Sequence, residues 1–134
     1  MKIQQHFPEF ARANWYTDPR DHRCPHDAWL ESVEVTELAQ GERSEIRSTK
    51  IVIKLLGAYH DGQIIFRYVG VKHFSLEGPA CDRGLGDWLN DDFSTTEAGL
   101  ITHRIVWAGN AGKTTAQWTI ECESLNYEWI PQQG

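Results

Sequence analysis

Thr49-Lys50-Ile51-Val52-Ile53-Lys54-Leu55-Leu56, then Gly57-Ala58-Tyr59-His60-Asp61-Gly62-Gln63, then Ile64-Ile65-Phe66-Arg67-Tyr68-Val69: two β-branched runs flank a turn-forming segment. The period of two places Ile51, Ile53 and Leu55 on one face of the first run, and Ile64, Phe66 and Tyr68 alternate with Ile65, Arg67 and Val69 in the second. Asp61-Gly62 is the strongest short-range hairpin signal in the chain, because both central positions of a type I′ turn need positive φ. The stretch therefore reads as two antiparallel strands.

The same signal continues in both directions. Upstream, Trp29, Val33 and Val35 share one parity and Ser32, Glu34 and Thr36 the other, which predicts a strand turning at Gln40-Gly41-Glu42 into the run above. Before it, residues 17–27 hold Pro19, Pro25 and several charges and read as an irregular connection, preceded by a short helix carrying Ile3, Phe7 and Phe10 with Pro8 in its first turn. Downstream, Gly70 marks a bend, and Val71-Lys72-His73-Phe74-Ser75-Leu76 continues as a bulged or separate strand. Residues 77–98, with Gly78, Pro79, Gly84, Gly86 and the acids Asp82, Asp87, Asp91, Asp92 and Glu97, read as a long loop. Ile101, His103, Ile105 and Trp107 alternate, a turn follows at Gly109-Asn110-Ala111-Gly112, Trp118, Ile120 and Cys122 share one face of the return strand, and residues 125–129 form a last strand. The expected fold is mainly β: an antiparallel sandwich or partly open barrel of about five to seven strands, with no βαβ unit. The expected organisation is a single domain over 1–134, an N-terminal extension over 1–27 and a β core over 28–130.

The thirteen Lys and Arg residues are scattered in a chain of net charge -6, so no basic stripe marks a nucleic-acid partner. The apolar runs are broken by Lys54 and similar residues well short of a bilayer span, and Met1-Lys2-Ile3-Gln4-Gln5-His6-Phe7-Pro8 lacks a secretory apolar core. A soluble, cytoplasmic protein is expected. Cys24, Cys81 and Cys122 are odd in number and widely spaced, which suits reduced, inert thiols.

Several motifs carry chemistry in outline. Gly109-Asn110-Ala111-Gly112-Lys113-Thr114-Thr115 ends like a phosphate-binding loop, but the full spacing needs Gly where Trp107 stands and a helix where Ala116-Gln117-Trp118 read as strand, so a hairpin turn explains it better. His22, Cys24 and His26 stand at alternate positions and, with His60-Asp61, are ligand types that suit zinc; they lack a second spaced pair, and no metal or other cofactor is expected. Asp87-Trp88-Leu89-Asn90-Asp91-Asp92 combines carboxylates with an aromatic able to grip a basic surface, against a reading in which a buried Trp88 simply anchors an acidic loop. No G-x-S-x-G or comparable nucleophile motif is present. Of six tryptophans, Trp29, Trp107, Trp118 and Trp129 fall on predicted strands and are assigned to the core, leaving Trp15 and Trp88, with Tyr16 and Tyr59, as candidates for an exposed aromatic surface.

His26-Asp27-Ala28-Trp29-Leu30-Glu31-Ser32-Val33-Glu34-Val35, a His-Asp-Ala start running into an alternating strand, resembles the opening of small bacterial immunity-like proteins found beside polymorphic toxins. Leu56-Gly57-Ala58-Tyr59-His60-Asp61-Gly62 and Tyr68-Val69-Gly70-Val71 are similar to the central hairpin of those proteins, so the resemblance covers residues 26–76. It implies a non-enzymatic module that binds a cognate toxin stoichiometrically, an acidic surface meeting a basic nuclease or other effector. The candidate binding residues are His26, Asp27, Tyr59, His60, Asp61, Asp87, Trp88, Asp91 and Asp92, with no catalytic residue assigned. Asp27 has a structural reading as well, its carboxylate accepting backbone N–H groups in a turn. The alternative function is a small-ligand- or metal-dependent enzyme with its site near His22, His26 and His60. The expected state is a monomer or homodimer, since an exposed sheet edge supports dimerisation.

Overall fold

In a computed structural model, which describes residues 7–82, 84–109 and 114–132, the chain forms β1 (Trp29–Gln40), β2 (Ile46–Leu56), β3 (Gly62–Glu77), β4 (Asp87–Thr95), β5 (Ile101–Gly109) and β6 (Thr114–Pro131). All neighbours are antiparallel in the order β1-β2-β3-β6-β5-β4. One residue pair, Trp29 with Asp87, joins β1 to β4 and closes the sheet into a ring. The mainly β, antiparallel expectation is borne out. Among the described residues no helix is long and apolar enough to cross a membrane.

The β2–β3 hairpin sets the interior. Its register places Ile51 opposite Tyr68, Ile53 opposite Phe66 and Leu55 opposite Ile64, and all six side chains are fully buried. Cross-strand partners share a face, so this register turns both apolar sets inward together. The connection differs from the type I′ expectation: it spans residues 57–61, and the left-handed residue is His60 (φ 60). The Gly57 N–H donates to the Gly62 carbonyl at 2.9 Å and the His60 N–H to the Gly57 carbonyl at 2.8 Å. Gly62 is required for a different reason, because a Cβ there would lie 2.3 Å from the Trp129 ring.

Bulges correct two other readings and bear out a third. Between Leu30 and Ser32 the β1 register shifts, so Leu30 pairs with buried Leu55 while Trp29 falls on the outer face beside Leu56; Trp29 is 41% exposed instead of in the core. At Gly70 (φ 66) and the shift between Val71 and His73, β3 bends but stays one strand. Between Trp88 and Asn90 a third shift lies inside the segment expected as loop, where β4 in fact runs; it turns Trp88, Asp91 and Phe93 inward opposite Trp107, Ile105 and His103. The return strand and the last strand are also one element, β6, which pairs with β5 through its first half and with β3 through most of its length.

The interior is aromatic. Trp88 stacks on Phe66 at 5.4 Å and meets Trp107 edge-on at 5.4 Å, and Trp107 meets Trp118 at 5.2 Å. Ile101, His103, Ile105, Ile120 and Cys122 are fully buried, as their alternation predicts. The N-terminal segment, a 3-10 turn (Glu9–Arg12) after Pro8 and a single helical turn, α1 (Asn14–Thr17), packs Phe10 against Phe66, Phe93 and Tyr127 and buries Tyr16. Phe7 also reaches Phe93, whereas Ile3 lies outside the described residues. The Tyr127 hydroxyl donates to the Arg23 carbonyl, fastening this segment to β6. Of the phosphate-loop-like motif, residues 110–113 lie outside the described residues; Gly109 and Thr114 face each other in the β5–β6 ladder, with strand on both sides.

Candidate functional site

The seam where β1 meets β4 gathers most of the candidate residues. The Trp29 indole N–H donates to Asp87 Oδ1 at 2.7 Å, and the His60 ring lies 4.6 Å from the indole. On the same connection Tyr59, 49% exposed, stacks on His22 at 4.0 Å and donates its hydroxyl to the Pro19 carbonyl at 3.1 Å. His22 Nδ1 in turn meets Asp61 Oδ2. The two exposed aromatics are thus held at their polar ends while their ring faces stay partly in water. At the other side of the seam the Asp27 N–H donates to the Trp88 carbonyl at 2.8 Å and the Trp88 N–H to the Ala28 carbonyl at 3.0 Å. Asp27 sits at φ 68, a region Asp tolerates better than most residues. Its backbone fastens the seam and its exposed carboxylate faces His26 Nε2 at 3.5 Å, in place of the expected cap to backbone N–H groups. Because the Leu89 carbonyl only accepts, His26 Nδ1 carries the proton it donates there at 2.8 Å.

The acidic segment divides among three environments. Asp87 belongs to the seam; Trp88 is 1% exposed and Asp91 turns into the ring; Asp92 remains outside, 3.3 Å from Arg104. Of the four proposed surface aromatics only Tyr59 is exposed, since Trp88 and Tyr16 are core residues and Trp15 is half-buried under the Arg23 guanidinium. The zinc-type cluster is not assembled. His22, His26 and His60 engage separate partners, Cys24 is buried with its thiol pushed up by desolvation, and among the described residues no group of three or more His, Cys, Asp or Glu side chains is arranged to hold a metal.

Inside the ring lies a polar chain that the motifs do not mark. Asp91 Oδ2 accepts from Tyr16 at 2.6 Å and from His103 Nε2 at 2.7 Å, and Oδ1 accepts a long bond, 3.4 Å, from Trp88 Nε1. On its other side, His103 Nδ1 lies 2.7 Å from the Tyr68 hydroxyl, which extends the chain of hydrogen bonds from the carboxylate. Burial, and next the nearby Asp91 charge, hold the Tyr16 and Tyr68 phenols well above their ordinary range, so both remain donors. Asp91 lines two cavities, of about 220 and 230 Å³, that also share Tyr16 and Thr17. Three donors converge on one carboxylate, an arrangement that fixes a buried charge in place. His103 at an inward position between Ile101 and Ile105 is the signal that could have disclosed the chain, and for Trp29 the signal was masked by the bulge.

No family model matches this chain, and no curated protein or solved structure matches it.

Proposed function

We propose that the protein is a non-enzymatic binding module whose partner is a basic protein, docking on the seam around Trp29, Tyr59, His60, Asp61, Asp87 and Asp27. The observation that carries this reading is the pair of exposed aromatics held in fixed orientation by Asp87, His60, His22 and Pro19. Large aromatics whose rotamers are set before binding lose little entropy on docking, and such residues dominate binding energies at interfaces. Carboxylates beside them complement Lys or Arg, whose cations also favour indole and phenol faces. The immunity-like reading gains support from topology: two of the three stretches that resemble those proteins, 26–35 and 56–62, supply seam residues. The polar chain at Asp91 has its hydrogen bonds closed within the protein and supports the scaffold under this surface.

The test is capture from a lysate of the source cell with wild-type bait and with a Trp29→Ala/Tyr59→Ala bait. A basic protein should be retained in stoichiometric amount by the wild type, be released as ionic strength rises, and lose about 30-fold in affinity for each substitution, equivalent to about 2 kcal/mol. A partner held equally by the double variant, or held regardless of salt, overturns the reading.

A further inference from the structure

β1 runs on past the point where the ring closes. After Trp29 pairs with Asp87, residues 30–40 pair with β2 along one side only, and among the described residues no other backbone hydrogen bond reaches them. Residues 34–40 are all exposed, including Val35 at 48% and Leu38 at 42%. A row of unpaired N–H and C=O groups is a template for another strand, and natural sheets usually guard it with charged side chains, Lys above all, with Pro or with a bulge. Residues 33–40 contain no Pro and no Lys, their charges being Glu34 and Glu37 alone, and the one register shift in β1 lies at its root, between Leu30 and Ser32.

Charge and register decide which strand fits. The hairpin over 29–56 holds five Glu against two Arg and two Lys, nearly balanced within a chain of net charge -6. All three charges of β1 itself, Glu31, Glu34 and Glu37, are acidic and are offset by Arg47, Lys50 and Lys54 on the neighbouring β2, so two copies that meet through their hairpins bring together surfaces of about one net negative charge each, and such an edge offers a basic segment little net charge to hold it. The pairing with β2 puts Val33, Val35 and Glu37 on the face of Ile51 and Ile53, and Glu34, Thr36 and Leu38 on the other. In an antiparallel pairing of β1 with itself centred on Val35, Val35 meets Val35 of the second copy, Glu34 meets Thr36 and Glu37 meets Val33. No Glu stands opposite a Glu, and Glu37 is already paired with Arg47 at 2.8 Å.

We propose that the protein self-associates through β1, its free edge pairing antiparallel with β1 of a second copy about a two-fold axis at Val35, so that two rings join into one continuous sheet. An isologous two-fold contact of this kind closes on itself and stops at the dimer. The seam residues named for the basic partner lie at the root of the hairpin and are not used by this contact.

Sedimentation equilibrium with the full chain should show a mass rising with concentration from 15.4 kDa to twice that value, with backbone amides of residues 30–40 gaining protection from hydrogen exchange in parallel. Val35→Lys, at an exposed position where the fold is expected to survive, sets two ammonium groups face to face and should weaken the dimer roughly tenfold or more; circular dichroism checks that it folds. In a Cys81→Ser background, Val35→Cys should cross-link to its twin and Ser124→Cys should not. A single 15.4 kDa species at every concentration overturns the proposal. So does a dimer that Val35→Lys leaves intact, or one whose edge amides exchange freely. Protection of the edge only after a basic protein is added assigns it to that protein and likewise ends the claim.

Discussion

Asp91 on β4 and Glu37 on β1 are both carboxylates, both on strands that begin at the seam, and both on the face that turns inward. Asp91 lies within the ring, its side chain 11% exposed and met by Tyr16, His103 and Trp88. Glu37 lies beyond the rim, its side chain 61% exposed and paired only with Arg47 among the described residues. The difference is depth along the strand. Alternation assigns a side chain to one face of a sheet, but whether that face is covered depends on what stands across from it. For β4 this is the far wall of the ring and the N-terminal segment; for the outer part of β1 it is solvent. The half of the molecule around β4 and β5 is thereby committed to packing, and the outer end of the β1–β2 hairpin is left as surface.

The sharpest way to break this contrast is to remove both carboxylates in turn. Asp91→Ala leaves the Tyr16 hydroxyl and the His103 N–H buried without an acceptor and should cost about 3 kcal/mol, roughly a 10 °C fall in Tm. Glu37→Ala should stay within about 0.5 kcal/mol, as an exposed ion pair allows. Equal losses in thermal unfolding would show that the two carboxylates occupy equivalent environments and would remove the distinction. A middle effect is expected where β3 begins: Gly62→Ala drives a methyl into the Trp129 ring and should cost about 1–3 kcal/mol in urea unfolding, although the substitution suits a strand better than glycine does. The smallest effect is on the surface of the N-terminal segment. The Arg23 side chain holds the Asp21 carboxyl near about 2, below its ordinary 3.8. A carboxyl depressed in the folded state contributes stability that is present above 3.8 and is lost as pH falls through about 2. Because Arg23 is 43% exposed, a few tenths of a kcal/mol are expected. Asp21→Asn should therefore match the wild type near pH 2 and fall slightly behind it above pH 4 in urea midpoint.

The strands with unbroken alternation were legible. Ile51 to Leu55, Ile64 to Tyr68 and Ile101 to Trp107 each present one face to the interior, and period two along a buried face leaves no other assignment. β4 was not legible, for a reason connected with its use. Its bulge breaks the period after Trp88, and its next inward residue is Asp91, so a strand with a buried carboxylate reads as an acidic loop. Trp29 was misplaced by the same device, since the shift at Leu30 and Ser32 reverses the face on either side. Of the candidate site, Tyr59, His60, Asp61 and Asp87 were named from the sequence and do come together. His22, named for the alternative site, joins them through Tyr59 and Asp61, Trp29 joins only because the ring closes there, and Trp88 and Asp91 leave them for the interior.

Local chemistry by itself determined the element type and partner direction of most strands, because side-chain alternation and turn residues act over a few neighbouring positions. It also set the charge, which is a sum indifferent to folding. The tertiary structure alone decided which end of β1 is covered, which tryptophan faces water, and that Asp91, His103, Tyr68 and Tyr16 form one chain. Those outcomes depend on bulges that shift register by a single residue and on closure between strands 58 positions apart, as in the bond from Trp29 to Asp87, and contacts of that range leave no periodic mark in the sequence.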